Sequence, residues 1–86
     1  MIFKKMVSCI CTNIGDQAII LNIKNGHYYE LNKTALAIWN QLDTNTNAES
    51  IASVLSQIYQ IEQKTIKIDI ENFLNRCLEN GFLQTE

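Results

Sequence analysis

The sequence predicts an α+β fold in which three antiparallel strands are followed by three helices. Two segments rich in Ile, Val and Leu flank a Gly-Asp turn, an Asn-Gly turn leads into a third such segment, and after residue 32 the apolar residues adopt helical spacing. The 86 residues leave room for one domain, residues 1–86, and 47% of them are hydrophobic, as in a folded protein. We therefore expect helices packed on one face of a small sheet.

The first two strands are predicted over residues 6–13 and 17–23, where β-branched and aliphatic residues are concentrated. Gly15-Asp16 lies between them and is a common turn sequence. The two strands should therefore form a hairpin that begins the sheet.

A second hairpin is predicted at Asn25-Gly26, because a type I′ turn needs positive φ at both central residues and this dipeptide tolerates it. A two-residue turn would place Ile23 opposite Tyr28 and Asn22 opposite Tyr29. Cross-strand partners share a face, so the two tyrosines point to opposite sides of the sheet. The pattern does not decide which tyrosine faces the core.

Two helices with apolar stripes follow the strands. The first is predicted over residues 33–42 with Asn32 as its N-cap. The second is predicted over residues 47–59, because Thr46-x-x-Glu49 matches a capping box. Their stripes contain Trp39 and several aliphatic residues, which indicates core packing.

The third helix is the longest and ends at Gly81, a residue that suits the left-handed position after a helix C-terminus. The residues on its apolar stripe are Ile66, Ile70, Phe73, Leu74, Cys77 and Leu78.

Charge and cysteine content disfavour several function classes. The net charge is −2 and the pI is about 5.3, with scattered basic residues, so we expect no nucleic-acid partner. No segment is apolar for long enough to span a membrane, and none resembles a secretion signal. An odd number of cysteines in such a chain favours free thiols and a cytoplasmic location.

The sequence gives little support to a catalytic or a metal-binding function. Cys9 and Cys11 share a strand face and could meet Cys77 or His27, but the spacing differs from that of structural zinc sites. A Cys–His nucleophile pair would need an orienting group and an oxyanion loop, and neither is visible. We therefore expect no metal and no enzymatic activity, and we interpret the cysteines as small core residues.

The third predicted strand is an edge strand, and residues 27–31 contain neither proline nor lysine to protect it. Its unpaired N–H and C=O groups could accept a peptide as an added strand. Alternatively, the third helix or a second copy of the chain covers the edge. Backbone hydrogen bonds of about 0.5–1.5 kcal/mol each do not reliably offset an association cost of about 4–15 kcal/mol, so peptide binding would also need side-chain anchors.

Two motifs resemble a known family. YY-x-LN-x-x-A-x-x-IW spans residues 28–39, and the weaker D-x-x-x-FL-x-x-x-L-x-x-G-x-L spans residues 69–83. Together they resemble the PqqD-like family, whose members are recognition elements for precursors of ribosomally synthesised and post-translationally modified peptides (RiPPs). The resemblance covers most of residues 15–84.

The resemblance implies a winged-helix-like domain, without catalysis or cofactor, that binds a precursor's leader peptide against its third strand. The chain looks more like the discrete leader-binding proteins of lasso-peptide pathways than like the pyrroloquinoline quinone protein, and the partner of such a protein is a separate leader peptidase or other maturation enzyme. We expect a monomer or a weak homodimer. Three alternatives stay open: a peptide chaperone for a radical SAM enzyme in pyrroloquinoline quinone biosynthesis, a winged-helix DNA-binding regulator, and a small homodimerising structural module.

The resemblance also implies peptide-binding residues on one strand and one helix. The strand residues are His27, Tyr28, Tyr29, Glu30 and Leu31. The helix residues are Asp69, Ile70, Phe73, Leu74 and Cys77, with Lys67 as a second-rank candidate. Two flanks of the helix could face the groove, one through Asp69 and Arg76 and the other through Lys67, Glu71 and Leu78. The Asp69 flank is favoured because Asp69 belongs to the family pattern.

Overall fold

The computed structural model describes residues 2–86 and has the predicted order of three paired strands followed by three helices, with a short strand added at each end. The elements are β1 (Phe3–Lys5), β2 (Cys9–Ile14), β3 (Gln17–Asn22), β4 (Tyr28–Leu31), α1 (Lys33–Gln41), α2 (Ala48–Tyr59), α3 (Gln63–Glu79) and β5 (Leu83–Thr85). The predicted α+β class is confirmed. β2, β3 and β4 form the antiparallel sheet in that order, so β2 and β4 are its edges.

The loop between β3 and β4 differs from the predicted two-residue turn. Ile20 lies opposite Tyr29, so the pairing is shifted by two residues and residues 23–26 form the loop. The cause is the side chain of Asn22, which is buried. Its Nδ2 donates to the Gly81 carbonyl (2.7 Å) and its Oδ1 accepts from the Lys24 N–H (2.9 Å), which ties the end of β3 to the end of α3.

A shift of two residues leaves every side chain on its predicted face, because side chains alternate along a strand. The inner face, towards the helices, contains the buried Ala18, Ile20 and Leu31. Tyr29 is half-buried on the same face, whereas Tyr28 is 68% exposed on the outer face. The structure therefore assigns Tyr29 to the interior side of the sheet.

α1 begins as predicted, and α2 begins with a different cap. Asn32 Oδ1 accepts from the Ala35 N–H at 2.9 Å. The predicted capping box at Thr46 is wrong: Asn47 Oδ1 accepts from the Ser50 N–H at 2.8 Å and is the N-cap of α2. Asparagine caps a helix slightly better than threonine does. The Thr46 carbonyl instead accepts from the Phe3 N–H at 2.7 Å.

α3 ends in a turn that requires glycine. Gly81 has φ +80°, the Phe82 N–H donates to the Cys77 carbonyl (2.9 Å) and the Gly81 N–H donates to the Leu78 carbonyl (3.3 Å). These two bonds define a Schellman motif. The motif turns the chain back towards the sheet and delivers it into β5.

β5 pairs with β1, with Phe3 opposite Thr85 and Lys5 opposite Leu83. This two-stranded sheet was not predicted, because three-residue strands from opposite ends of the chain leave no local pattern. The predicted strand at residues 6–13 also begins too early, since residues 7–8 form a turn before β2.

The core lies between the inner face of the sheet and the helices. It is centred on the predicted stripe of α3, of which only Leu78 is incompletely buried. The other buried hydrophobic residues are Phe3, Ala18, Ile20, Leu31, Leu36, Ile38, Trp39, Leu42, Ile51, Ala52, Leu55, Phe82 and Leu83.

Candidate functional site

The outer edge of β4 is open. Within residues 2–86, β3 is the only strand that pairs with β4. The Asn22 N–H donates to the His27 carbonyl at 2.9 Å, so by antiparallel alternation Tyr29 bonds to β3. The N–H and C=O groups of Tyr28 and Glu30 therefore point away from the sheet, in the direction from which another strand would add.

A groove of about 450 Å³ lies beside this edge, between β4, the first turns of α1 and one flank of α3. Phe73 and Ile38 are the buried apolar residues of the groove, and its polar groups lie on α3 and at the start of α1. The full lining is Tyr29, Asn32, Thr34, Ala35, Ile38, Asp69, Asn72, Phe73 and Arg76. Phe73 and Ile38 form an apolar floor of which little surface is exposed, and most of the exposed lining is polar, so an extended peptide would bind here through polar as well as apolar side chains.

Tyr29 connects the strand to the helix at this groove. Its ring centroid lies 6.1 Å from that of Phe73 and 6.3 Å from that of Phe82, within the range of favourable aromatic pairs. Its hydroxyl accepts from Arg76 Nη1 at 2.9 Å. This hydrogen bond is the main cause of the raised pKa of Arg76, and it holds the guanidinium over the groove.

The structure brings part of the predicted site together. Tyr29, Asp69 and Phe73 line the groove, and Tyr28 and Glu30 supply the free backbone edge. The favoured flank of α3, the one containing Asp69, is thus the flank beside β4.

The other predicted strand residues lie at the margins of the groove. His27 is exposed where β4 begins, with Nδ1 3.3 Å from the Asn80 carbonyl. Leu31 is buried at the opposite end of the strand and contributes to the core.

Four predicted helix residues lie elsewhere. Ile70, Leu74 and Cys77 are fully buried behind Phe73, so they support the groove without lining it. Lys67 lies on the opposite flank of α3, where its Nζ is 2.6 Å from Glu49 Oε2 of α2. Lys67, the second-rank candidate, therefore lies away from this groove and is engaged by an ion pair with α2 that no local pattern reveals.

Some groove residues were not among the predicted site residues. The sequence already places Arg76 on the flank of Asp69, and the same helical spacing could also have identified Asn72, one turn after Asp69. Thr34 and Ala35 could not be found in this way, because their place in the groove depends on how α1 packs against β4.

The cysteines are not arranged for chemistry. Burial raises the pKa of Cys9 and of Cys11, and burial together with the nearby Cys9 raises the pKa of Cys77 to about 12. The raised pKa values disfavour the thiolate, which is the form in which a cysteine acts as a nucleophile. In the described part of the chain, no three His, Cys, Asp or Glu side chains are grouped so that they could hold a metal ion.

None of the helices within residues 2–86 combines the length and the apolar character needed to cross a membrane.

Comparison with known proteins gave one family and two similar solved structures. The family model described as "Coenzyme PQQ synthesis protein D (PqqD)" matches residues 17–83. The structure described as TbiB1 in complex with the TbiA(beta) leader peptide is 22% identical, covers 94% of each chain and has a TM-score of 0.86. A lasso peptide synthetase B1 complexed with the leader peptide is 23% identical, covers 98% of this chain and 99% of that one, and has a TM-score of 0.85.

No curated protein matches the sequence. At the identities of the two solved structures, the likeness establishes a shared fold. The family match covers most of the chain, including both motifs noted in the sequence. The protein therefore belongs to the PqqD family.

Proposed function

We propose that this protein binds the leader peptide of a RiPP precursor as an added strand on β4, in a lasso-peptide pathway. The observation that carries the proposal is the open backbone edge of β4 beside an apolar-floored groove. The proposal is supported by the two similar solved structures, each described as a complex with a leader peptide.

The groove would supply the side-chain anchor that the strand edge lacks. Tyr28 and Glu30 offer their four backbone groups, and at about 0.5–1.5 kcal/mol for each hydrogen bond these do not reliably offset the cost of association. Burying one large apolar side chain adds about 1.5–3 kcal/mol. A leader side chain placed over Phe73 would provide that anchor.

The proposed role is binding without chemistry, carried out by residues 1–86 as a single domain without a cofactor. The bound leader would be presented to a leader peptidase or another maturation enzyme. The charge of α3 gives little support to the DNA-binding alternative, since Arg76 shares its flank of the helix with Asp69.

A proline on the β4 edge tests the proposal directly. The N–H of Glu30 points to the open side, so Glu30→Pro removes a donor for the added strand and places a ring in its path, while the pairing with β3 is kept. A short precursor reading frame, if one is found beside this gene, would supply a labelled leader peptide, and its titration should show affinity lowered about tenfold or more in fluorescence anisotropy.

The chain offers matched controls. Asn13→Pro makes the same change on the outer edge of β2, where the N–H of Asn13 also points away from the sheet, and should bind the leader normally. Glu30→Ala removes the same side chain but keeps the N–H, so it should also bind normally. Equal affinity in Glu30→Pro and the intact protein would refute β-augmentation at this edge.

A further inference from the structure

The groove flank of α3 carries two charges that have no ionic partner within residues 2–86. The ion pairs in that range join Lys4 to Glu86, Lys5 to Asp43 and Lys67 to Glu49.

Asp69 and Arg76 both line the groove and are both exposed. Arg76 donates from Nη1 to the Tyr29 hydroxyl at 2.9 Å. The guanidinium therefore keeps donors for a further acceptor.

Both charges are solvated while the groove is open. A strand lying on β4 would remove part of that water, and a charge that loses solvent without gaining an opposite charge weakens binding. A peptide with a carboxylate near Arg76 and a cationic side chain near Asp69 would avoid that cost. Charge complementarity of this kind governs selectivity more than it governs total affinity.

The fold also sets the order of the two charges along β4. The Asn80 carbonyl at the end of α3 contacts the side chains of Asn25 and His27, just before β4. Asp69 shares the groove with Asn32, just after β4. α3 therefore runs opposite to β4, with Arg76 towards Tyr28 and Asp69 towards Leu31.

The spacing of the two charges restricts the peptide further. Arg76 lies seven positions after Asp69 in α3, which corresponds to about 10.5 Å along the helix axis at 1.5 Å per residue. Residues two and four apart in a strand are separated by about 6.7 Å and about 13 Å, and only even separations put both side chains on the groove side. Flexible side chains can bridge the remaining difference of a few ångströms.

Resting on the proposed function, we propose that α3 selects the charge pattern of the leader peptide. The preferred peptide carries an acidic residue beside Arg76 and a basic residue beside Asp69, separated by two or four positions. In a strand antiparallel to β4 the basic residue comes first, and in a parallel strand the acidic residue comes first. The order of charges in bound peptides therefore also reports the direction of the added strand.

Selection from a displayed library of random 15-residue peptides tests this pattern on the full chain. The intact protein should enrich peptides with opposite charges at an even spacing. Arg76→Glu should replace the enriched acidic residue by a basic one, and Asp69→Lys should replace the enriched basic residue by an acidic one. Glu71→Lys makes the same charge reversal on the opposite flank of α3 and should leave the enriched pattern unchanged.

A charge-swapped version of the most enriched peptide completes the test. It should bind the intact protein about tenfold more weakly than the original, and the double variant Asp69→Lys with Arg76→Glu should restore its affinity. Such a rescue cannot result from misfolding.

The possible failures are distinguishable. If no enriched peptide depends on the β4 edge, so that Glu30→Pro binds all of them normally, the proposed function fails and this inference fails with it. If the peptides depend on that edge but carry no charge pattern, or keep the same pattern with Arg76→Glu and Asp69→Lys, the proposed function stands and the selection by α3 is refuted.

Discussion

The two flanks of α3 carry similar residues and differ in what lies beside them. On one flank, Lys67 is paired with Glu49 of α2, beside a depression of about 470 Å³ that Phe3 and the start of α2 also line. On the other flank, Asp69 and Arg76 border a groove of about 450 Å³ that opens towards the unpaired edge of β4. The depressions are similar in volume, so size does not distinguish them.

What distinguishes the flanks is whether the fold already supplies their partners. α2 packs closely against α3 and provides a carboxylate for Lys67. β4 is joined to α3 through Tyr29, and its outer backbone groups have no partner in the described part of the chain. The groove flank combines two unpaired charges with the open edge of β4, whereas on the other flank Lys67 is paired and only Glu71 has no ion pair within residues 2–86.

The largest expected effect comes from removing the floor of the groove. Phe73 is almost fully buried against Tyr29, so Phe73→Ala should lower the free energy of unfolding by about 3–5 kcal/mol. Urea denaturation measures this loss. Leu78→Ala, on the other flank and only half-buried, should have a smaller effect. A loss below about 1 kcal/mol for Phe73→Ala would contradict the packing described for this flank.

A smaller effect is expected at the turn that sets α3 against the sheet. Gly81 has φ +80°, and a Cβ there would lie 2.9 Å from Asn25 Nδ2. Gly81→Ala should therefore lower the free energy of unfolding by about 1–2 kcal/mol through backbone strain, with an added contribution from that contact.

Gly15 provides the control for this change, because it has φ +65° and nothing lies within 4 Å of its Cβ position. Gly15→Ala should therefore lower the free energy of unfolding by the contribution of backbone strain alone. If both variants unfold at the same urea concentration as the intact protein, the left-handed geometry of these turns is wrong.

Local patterns predicted most of the fold. The helical stripes, the Asn32 cap and the glycine after α3 all depend on neighbouring residues, and each was found. The hairpin register was wrong because Asn22 bonds to Gly81, which is distant in sequence. The faces of the strands were nevertheless right, because an error of two residues preserves the alternation of side chains.

The site was harder to predict than the fold. Asp69 and Lys67 are both charged residues flanking the same apolar stripe, and the choice between them depends on which neighbour, β4 or α2, lies at each side. Only the family pattern favoured Asp69 in the sequence. The pairing of β1 with β5 had no local signal at all, since it joins residues near both ends of the chain.

The smallest effects are expected when one charge is removed from each flank of α3. Lys67→Gln removes an intramolecular ion pair, so it should lower the urea midpoint slightly at low salt and not at high salt. Asp69→Asn removes a charge without an ionic partner among residues 2–86, so it should leave the midpoint unchanged at either salt concentration.

The dependence on pH separates the two flanks further. The hydrogen bond to Glu49 raises the pKa of Lys67 above its ordinary value of 10.5, so the folded state holds this proton more tightly than the unfolded state does. The stabilisation is therefore complete below pH 10.5 and is lost as the pH rises through the folded-state pKa. Above that pKa, the difference in urea midpoint between Lys67→Gln and the intact protein should vanish. A difference that persists there would show that Lys67 stabilises the fold through the packing of its aliphatic stem.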